Sequence, residues 1–337
     1  MEATIFDGHT QRPFTPSESQ ALTTTTPYVW VDIIPSGSKD PEVLALLTQM
    51  GFTDVVAAYT ARTYSSGMFL LCGDNMLAST YAAPDEPGPP TLIHCVWNAG
   101  CFVTIRQGAN RAIAQALEDF KPRAVSLFAQ PGPVPGILLQ LILDSVDRQL
   151  TALQTQVAML DGQIIITANP SQLAALQQVR IPVSDLGTTI PAYLENLNES
   201  LIDPGSLPGM DAQGAQALQT YAACVNDVVQ RITSTASDIR NAIQDYQGQV
   251  SSVQGNRINQ LTLVSIIFLP ISFMTGYFGQ NFQLLTDATV SFTAWFFLGV
   301  ALPIIVVIVS VALLQRSGFS IGRTLHFRTR SHRKPDA

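Results

Sequence analysis

Two stretches without a charged side chain constrain this chain more than any other feature. No charged residue falls between Arg257 and Asp287, and none between Asp287 and Arg316. Inside those gaps lie two apolar runs, Leu261 to Tyr277 and Phe292 to Leu314. A bilayer core of ~30 Å takes ~20 mostly apolar residues as a helix. Each gap is long enough, so the sequence predicts two transmembrane helices, about 258–278 and 292–314. Two buried helices of a soluble domain would fit poorly, because core helices of that length carry a polar face. The link between the runs is short, which makes the helices antiparallel neighbours, and its one charge is Asp287. After Leu314 come Arg316, Arg323, Arg328, Arg330, Arg333 and Lys334. Basic flanks stay on the cytoplasmic side, so both termini are expected in the cytosol, with 316–337 as a basic tail.

A chain of 337 residues leaves room for a soluble domain beside the membrane part. No apolar run opens it, so no signal peptide is expected, and residues 1–27, rich in Thr, Ser and Pro, read as a disordered cytosolic tail. From Arg257 onward there are seven basic and two acidic residues, while the first 256 residues hold eleven basic against twenty-three acidic. An acidic cytosolic part attracts cations and disfavours nucleic acid as a partner. Cys72, Cys95, Cys101 and Cys224 form no Cys-x-x-Cys pair and are expected as free thiols. Cys95 and Cys101 flank a turn at Asn98-Ala99-Gly100 and are expected as neighbouring core residues, and the nearby His94 does not complete a zinc ligand set. No paired carboxylates or nucleophile–histidine pair stands out, so an enzyme is not expected.

Within 28–135 the patterns alternate. Tyr28 to Ile34, Met68 to Cys72, Leu92 to Trp97 and Cys101 to Arg106 are strand-like. Pro41 to Met50 reads as a helix stopped at Gly51, and Asn110 to Phe120 as a helix with Ile113, Leu117 and Phe120 on one face. An α/β domain follows. Residues 136–257 read as a helical stalk. Ile137 to Ile166 is one helix, and Gln172 to Leu201 a second, broken by Pro182 and Pro191. The third starts near Asp211 and runs into the membrane without a break. Its apolar stripe from Leu218 to Val253 has the step pattern of a coiled coil.

The segment Leu261-Thr-Leu-Val-Ser-Ile-Ile-Phe-Leu-Pro-Ile-Ser-Phe-Met-Thr-Gly-Tyr-Phe-Gly-Gln-Asn-Phe282 resembles the first membrane helix and signature loop of the CorA-like magnesium transporter superfamily. That superfamily carries Gly-x-Asn between two C-terminal membrane helices, here Gly279-Gln280-Asn281, and Phe-x-Pro-[Leu/Ile]-[Thr/Ser]-Phe upstream, here Phe268 to Phe273. Leu139 to Arg148, with Asp144 and Asp147, is similar to its first stalk helix.

The resemblance implies an α/β cytosolic N-terminal domain, a long helical stalk and two C-terminal transmembrane helices over 258–315, in a funnel-shaped homopentamer set in a lipid bilayer. The membrane is the plasma membrane or that of an organelle. It implies a divalent-cation channel or transporter, with Mg²⁺ as the transported and regulatory ion. No residue here matches the family's cytosolic regulatory sites. Gly279, Gln280 and Asn281 would set ion selectivity. Helical spacing puts Leu261, Ser265, Leu269 and Ser272 on one face, with Gly276 a turn further, and that face would line the pore. Mg²⁺ gives up its water reluctantly, so Asn281 would hold it through the ion's water shell. Leu261 and Leu269 would gate by dewetting. Most members have Met where Gln280 stands, and an acidic proline-containing loop where this chain has Gln283 to Asp287. Two alternatives stay open: a Zn²⁺ transporter of the same superfamily, coupled to protons, and a membrane-anchored scaffold that no longer conducts.

Overall fold

The computed structural model describes residues 1–15, 18, 28–37, 40–61, 69–86, 88–108, 110–201, 207, 210–279 and 291–316. The chain divides into two compact units, Met1–Asp245 and Tyr246–Ala337.

The first unit is built on a sheet of seven strands among the described residues. They are β1 (Glu2–Phe6), β2 (Gln11–Pro13), β3 (Val29–Ile34), β4 (Phe69–Cys72), β5 (Asn75–Ala82), β6 (Thr91–Trp97) and β7 (Cys101–Arg106). Their order is β2-β1-β3-β7-β6-β5-β4. Only the central β3–β7 pair is parallel, with Val31 opposite Val103. The other neighbours are antiparallel.

Alternation along the strands sends side chains to two cores. On one face Val29, Val31, Val103 and Ile105 pack with Val43, Leu46 and Leu47 of α1 (Pro41–Gln49) and Val55 of α2 (Thr53–Ala61). On the other, Trp30, Phe102, Cys95 and Trp97 pack with α3 (Arg111–Phe120), α4 (Ala124–Ala129), α5 (Val134–Ile166), α6 (Pro170–Ser200) and the first part of α7 (Ala212–Phe278). The helix starts are capped locally. Asp40 accepts from Glu42 N at 3.0 Å, Asn110 from Ala112 N at 2.8 Å, and Asn169 forms a capping box with Gln172. Gly51, at φ +88°, ends α1 as expected.

Three expectations are corrected. Residues 1–15 are not a disordered tail: β1 pairs with β3 over five positions, and Ile5 and Phe6 are each 3% exposed. Two buried apolar side chains and a full strand ladder outweigh the polar composition around them. Pro182 and Pro191 do not break α6, which runs unbroken from Pro170 to Ser200. Each proline removes one N–H. The buried row Val179, Val183, Leu186, Ile190, Tyr193 and Leu197 holds the helix in place. Cys95 and Cys101 belong to opposite faces of the sheet rather than one neighbourhood, because they sit an even number of residues apart across a two-residue turn that reverses the strand.

α5 and α7 lie very close. A Cβ built on Gly136 would stand 2.7 Å from the Ala217 carbonyl carbon and 2.9 Å from Leu218 N, so only glycine fits the crossing. Further along, Arg231 of α7 is hydrogen-bonded to Asp147 of α5 and donates to Thr151 Oγ1 and Gln154 Oε1, both at 2.8 Å.

The second unit contains the rest of α7, then α8 (Phe292–Phe296), a π-helical turn (Phe297–Ala301) and α9 (Leu302–Arg316). Pro303 has no N–H to return to the Gly299 carbonyl, and the wider π turn sits where that bond is missing.

Candidate functional site: the open face of α7

In the second unit α7 is apolar and bare. Leu261 is 68% exposed, Leu269 74%, Phe268 63% and Phe273 70%. Among the described residues α7 is the helix long and apolar enough to cross a membrane, and Gly299–Ser310 is a shorter apolar helix.

The exposure is not uniform around the helix. Wound at ~100° per residue, Leu261, Ser265, Leu269, Ser272 and Gly276 all fall within about 40° of Ser265. All five are exposed. The half-buried positions, Leu263, Ile266, Ile267, Pro270, Ile271 and Met274, fall on the other half of the circumference. Ser310 of α9 lines one groove of about 460 Å³ together with Ile266, Pro270, Leu261, Ser265 and Leu269. The groove places Ser310 beside the row of Ser265, and the five residues of that row stay exposed. Ile258 joins the same groove and the same row; helical spacing alone would have found it.

Two threonine hydroxyls in this section of α7 are satisfied locally. Thr262 and Thr275 donate to the carbonyls of Ile258 and Ile271, at 2.9 and 2.7 Å. Gly276 has open space where a side chain would stand, and Gly279 donates its N–H to Thr275 O at 2.9 Å. Gln280 and Asn281 lie outside the described residues.

In the first unit, among the described residues, no group of three or more His, Cys, Asp and Glu side chains is placed to hold a metal ion. His94 Nδ1 lies 2.8 Å from Ser79 Oγ, with the Tyr59 ring edge-on at 5.1 Å. Burial lowers its pKa to about 4, so it is a neutral core group. Burial raises the Cys101 thiol to about 12 and the Cys95 thiol beyond that, so both stay protonated. Asp32 and Arg106 form a bidentate pair on the sheet, at 10–15% side-chain exposure, with Thr104 donating to Asp32 at 2.6 Å. These are framework groups rather than a reaction centre.

An α/β domain followed by a very long helix that ends in a bare apolar section defines a CorA-like architecture. The model of the CorA-like Mg²⁺ transporter protein family matches residues 27–316, and the chain belongs to that family. Its members are divalent-cation transporters. Among solved structures, the complete CorA magnesium transporter from Methanocaldococcus jannaschii superposes with a TM-score of 0.72 at 15% identity, covering 95% of this chain and 99% of that one. The full-length CmaX protein gives 0.69 at 16%, covering 94% and 97%. The ZntB cytoplasmic domain from Vibrio parahaemolyticus gives 0.52 at 12%, covering 75% and 98%. No curated protein matches by sequence.

Proposed function

We propose that this chain is a homopentameric divalent-cation channel that passes hydrated Mg²⁺ along an axial pore. The observation that carries the reading is the exposed row on α7. An apolar helix with an exposed row of residues needs a partner for that row, and cyclic repetition supplies one while leaving an axial path. Segments 258–278 and 292–314 would span the bilayer, with the link facing outward and both termini in the cytosol. Ser265, Ser272 and Gly276 would give wet positions along the pore, and Leu261 and Leu269 would form apolar rings that open and close by wetting. At the outer mouth, Gly279, Gln280 and Asn281 would offer backbone and amide oxygens to the water shell of the ion. No ion is stripped, so release stays fast.

Zn²⁺ transport is the second reading, favoured by Gln280 standing where most members of the superfamily carry Met and by the likeness to the ZntB cytoplasmic domain. Purified protein in liposomes separates the two. Mg²⁺ influx that Asn281→Ala abolishes is expected. Zn²⁺ flux without Mg²⁺ flux would transfer the assignment. A wild-type protein silent to both ions, like its Asn281→Ala variant, would overturn conduction and leave a membrane-anchored scaffold.

A further inference from the structure

A groove in the first unit lies between α5 and α6 and is bounded by the connection from β5 to β6. Its volume is about 690 Å³, within the ~300–1,000 Å³ usual for sites that take small organic molecules. Gln149, Leu153 and Gln156 line it from α5 at helical spacing, and Gln178, Pro182 and Asp185 line it from α6 in the same way. Leu153 and Val179 supply apolar surface inside, and Ile181, apolar yet 63% exposed, stands at the edge. The polar groups are mostly acceptors. Gln149 Oε1 is out of contact with solvent and has no hydrogen-bond partner among the described residues. Pro182 has no N–H to return to the Gln178 carbonyl. Every charged residue lining the groove is an acid: Asp85, Glu86 and Asp185. Asp85 accepts from Arg111 N at 3.0 Å, but none of the three carboxylates is in an ion pair among the described residues.

We propose that this groove binds an organic cation, an apolar chain that carries ammonium groups. An ammonium is all donor and no acceptor, so it complements a wall of carboxylates and unpaired carbonyl oxygens. A buried acceptor without a donor is costly to leave unpaired, and the N–H groups of the ligand would meet Gln149 Oε1. The methylene chain would cover Leu153, Val179 and Ile181. Other ligand classes fit less well. An anion meets three like charges. A neutral apolar molecule leaves the acceptors unmet. A metal ion needs several oxygen ligands converging on one point, and no group of three or more His, Cys, Asp and Glu side chains among the described residues is placed to hold one. The groove lies wholly within the first unit, so the proposal stands apart from the pore reading.

The test is titration calorimetry of the full-length protein in detergent, with 1,6-diaminohexane as the probe. One saturable site per protomer is expected. 1,3-Diaminopropane, with the same charge on a shorter chain, is expected to bind about tenfold more weakly because it covers less apolar surface. Asp185→Asn is expected to weaken binding about tenfold by removing a charged acceptor. Gln156→Lys, at an exposed position, is expected to abolish binding by placing a like charge in the groove. Asp227→Asn, at an exposed carboxylate of α7 outside the groove, is expected to bind like wild type. Unchanged binding in both Asp185→Asn and Gln156→Lys would overturn the site. Equal loss in Asp227→Asn would show that the diamine follows the overall negative charge, and would overturn it too. Equal affinity for the two diamines would remove the apolar chain from the recognition and overturn the ligand class. Mg²⁺ bound through Asp185, with no binding of the diamine, would give the groove to a metal ion and overturn the proposal.

Discussion

The phenol oxygen of Tyr221 on α7 lies 2.8 Å from Thr80 Oγ1 on β5. Tyr193 of α6 adds its own hydroxyl at 2.7 Å from Tyr221, and none of the three side chains reaches solvent. One buried chain of hydroxyls therefore ties the sheet to two stalk helices, and burial raises both phenol pKa values, so neither ionises at neutral pH. Removing the middle member strands the other two. Tyr221→Phe keeps the ring and its packing, so the loss is that of buried hydrogen bonds, about 1–3 kcal/mol. A clearly lowered melting temperature of the full chain is expected. An unchanged one would mean that Thr80 and Tyr193 re-pair without it.

Gly136 makes the second case. A methyl group there would meet the Ala217–Leu218 backbone of α7, which cannot swing aside as a flexible side chain could. Gly136→Ala is expected to cost ~1–3 kcal/mol by forcing α5 and α7 apart, despite the better helix propensity of alanine. At Gly162, on the same helix, a Cβ meets nothing within 4 Å, so Gly162→Ala is expected to be neutral or stabilising. Denaturation of the two variants side by side distinguishes close approach from propensity.

The half-buried imidazole of His94 gives a pH dependence. The folded-state pKa of His94 is lowered from 6.5 to about 4, so the unfolded chain binds its proton first as pH falls. Stability from this residue is complete above pH 6.5 and is lost as pH falls from 6.5 towards 4; the total approaches ~3 kcal/mol. Below that range the contribution stays flat. His94→Gln, which can still meet Ser79, is expected to flatten the stability difference between pH 7 and pH 5. Parallel curves for wild type and variant would show that the ring is already charged in the fold.

Much of the architecture is written locally. Pro41 announces a helix start, Gly51 announces an end, and the Leu218–Ile239 stripe announces a packed stalk, because caps and periodic apolar side chains act over a few residues. β5 is hidden for the opposite reason. All eight of its positions are buried, so it has no polar alternation, and Ala78, Ser79 and Thr80 have the look of a loop. β1 is masked by the polar segment behind it. Burial of Ile5 and Phe6 comes from a strand far along the chain, which no local pattern encodes. Pro182 and Pro191 mislead because helix propensity is decided against tertiary packing, and here packing wins. At the candidate site the Ser265 row is legible from spacing alone. That Ser310 lies beside this row depends on where the second apolar segment falls, and no periodicity of α7 contains that information.

The π turn before Pro303 has its own consequence for the second apolar segment. One extra residue in a helical turn rotates everything upstream by roughly 100° relative to everything downstream. Phe292 and Phe296 therefore point in directions that an uninterrupted helix through Ile304 and Ile308 would not give them. Deleting a single residue from Phe297–Ala301 would leave composition and length almost untouched, yet would swing that aromatic collar by more than a quarter of the way around the helix.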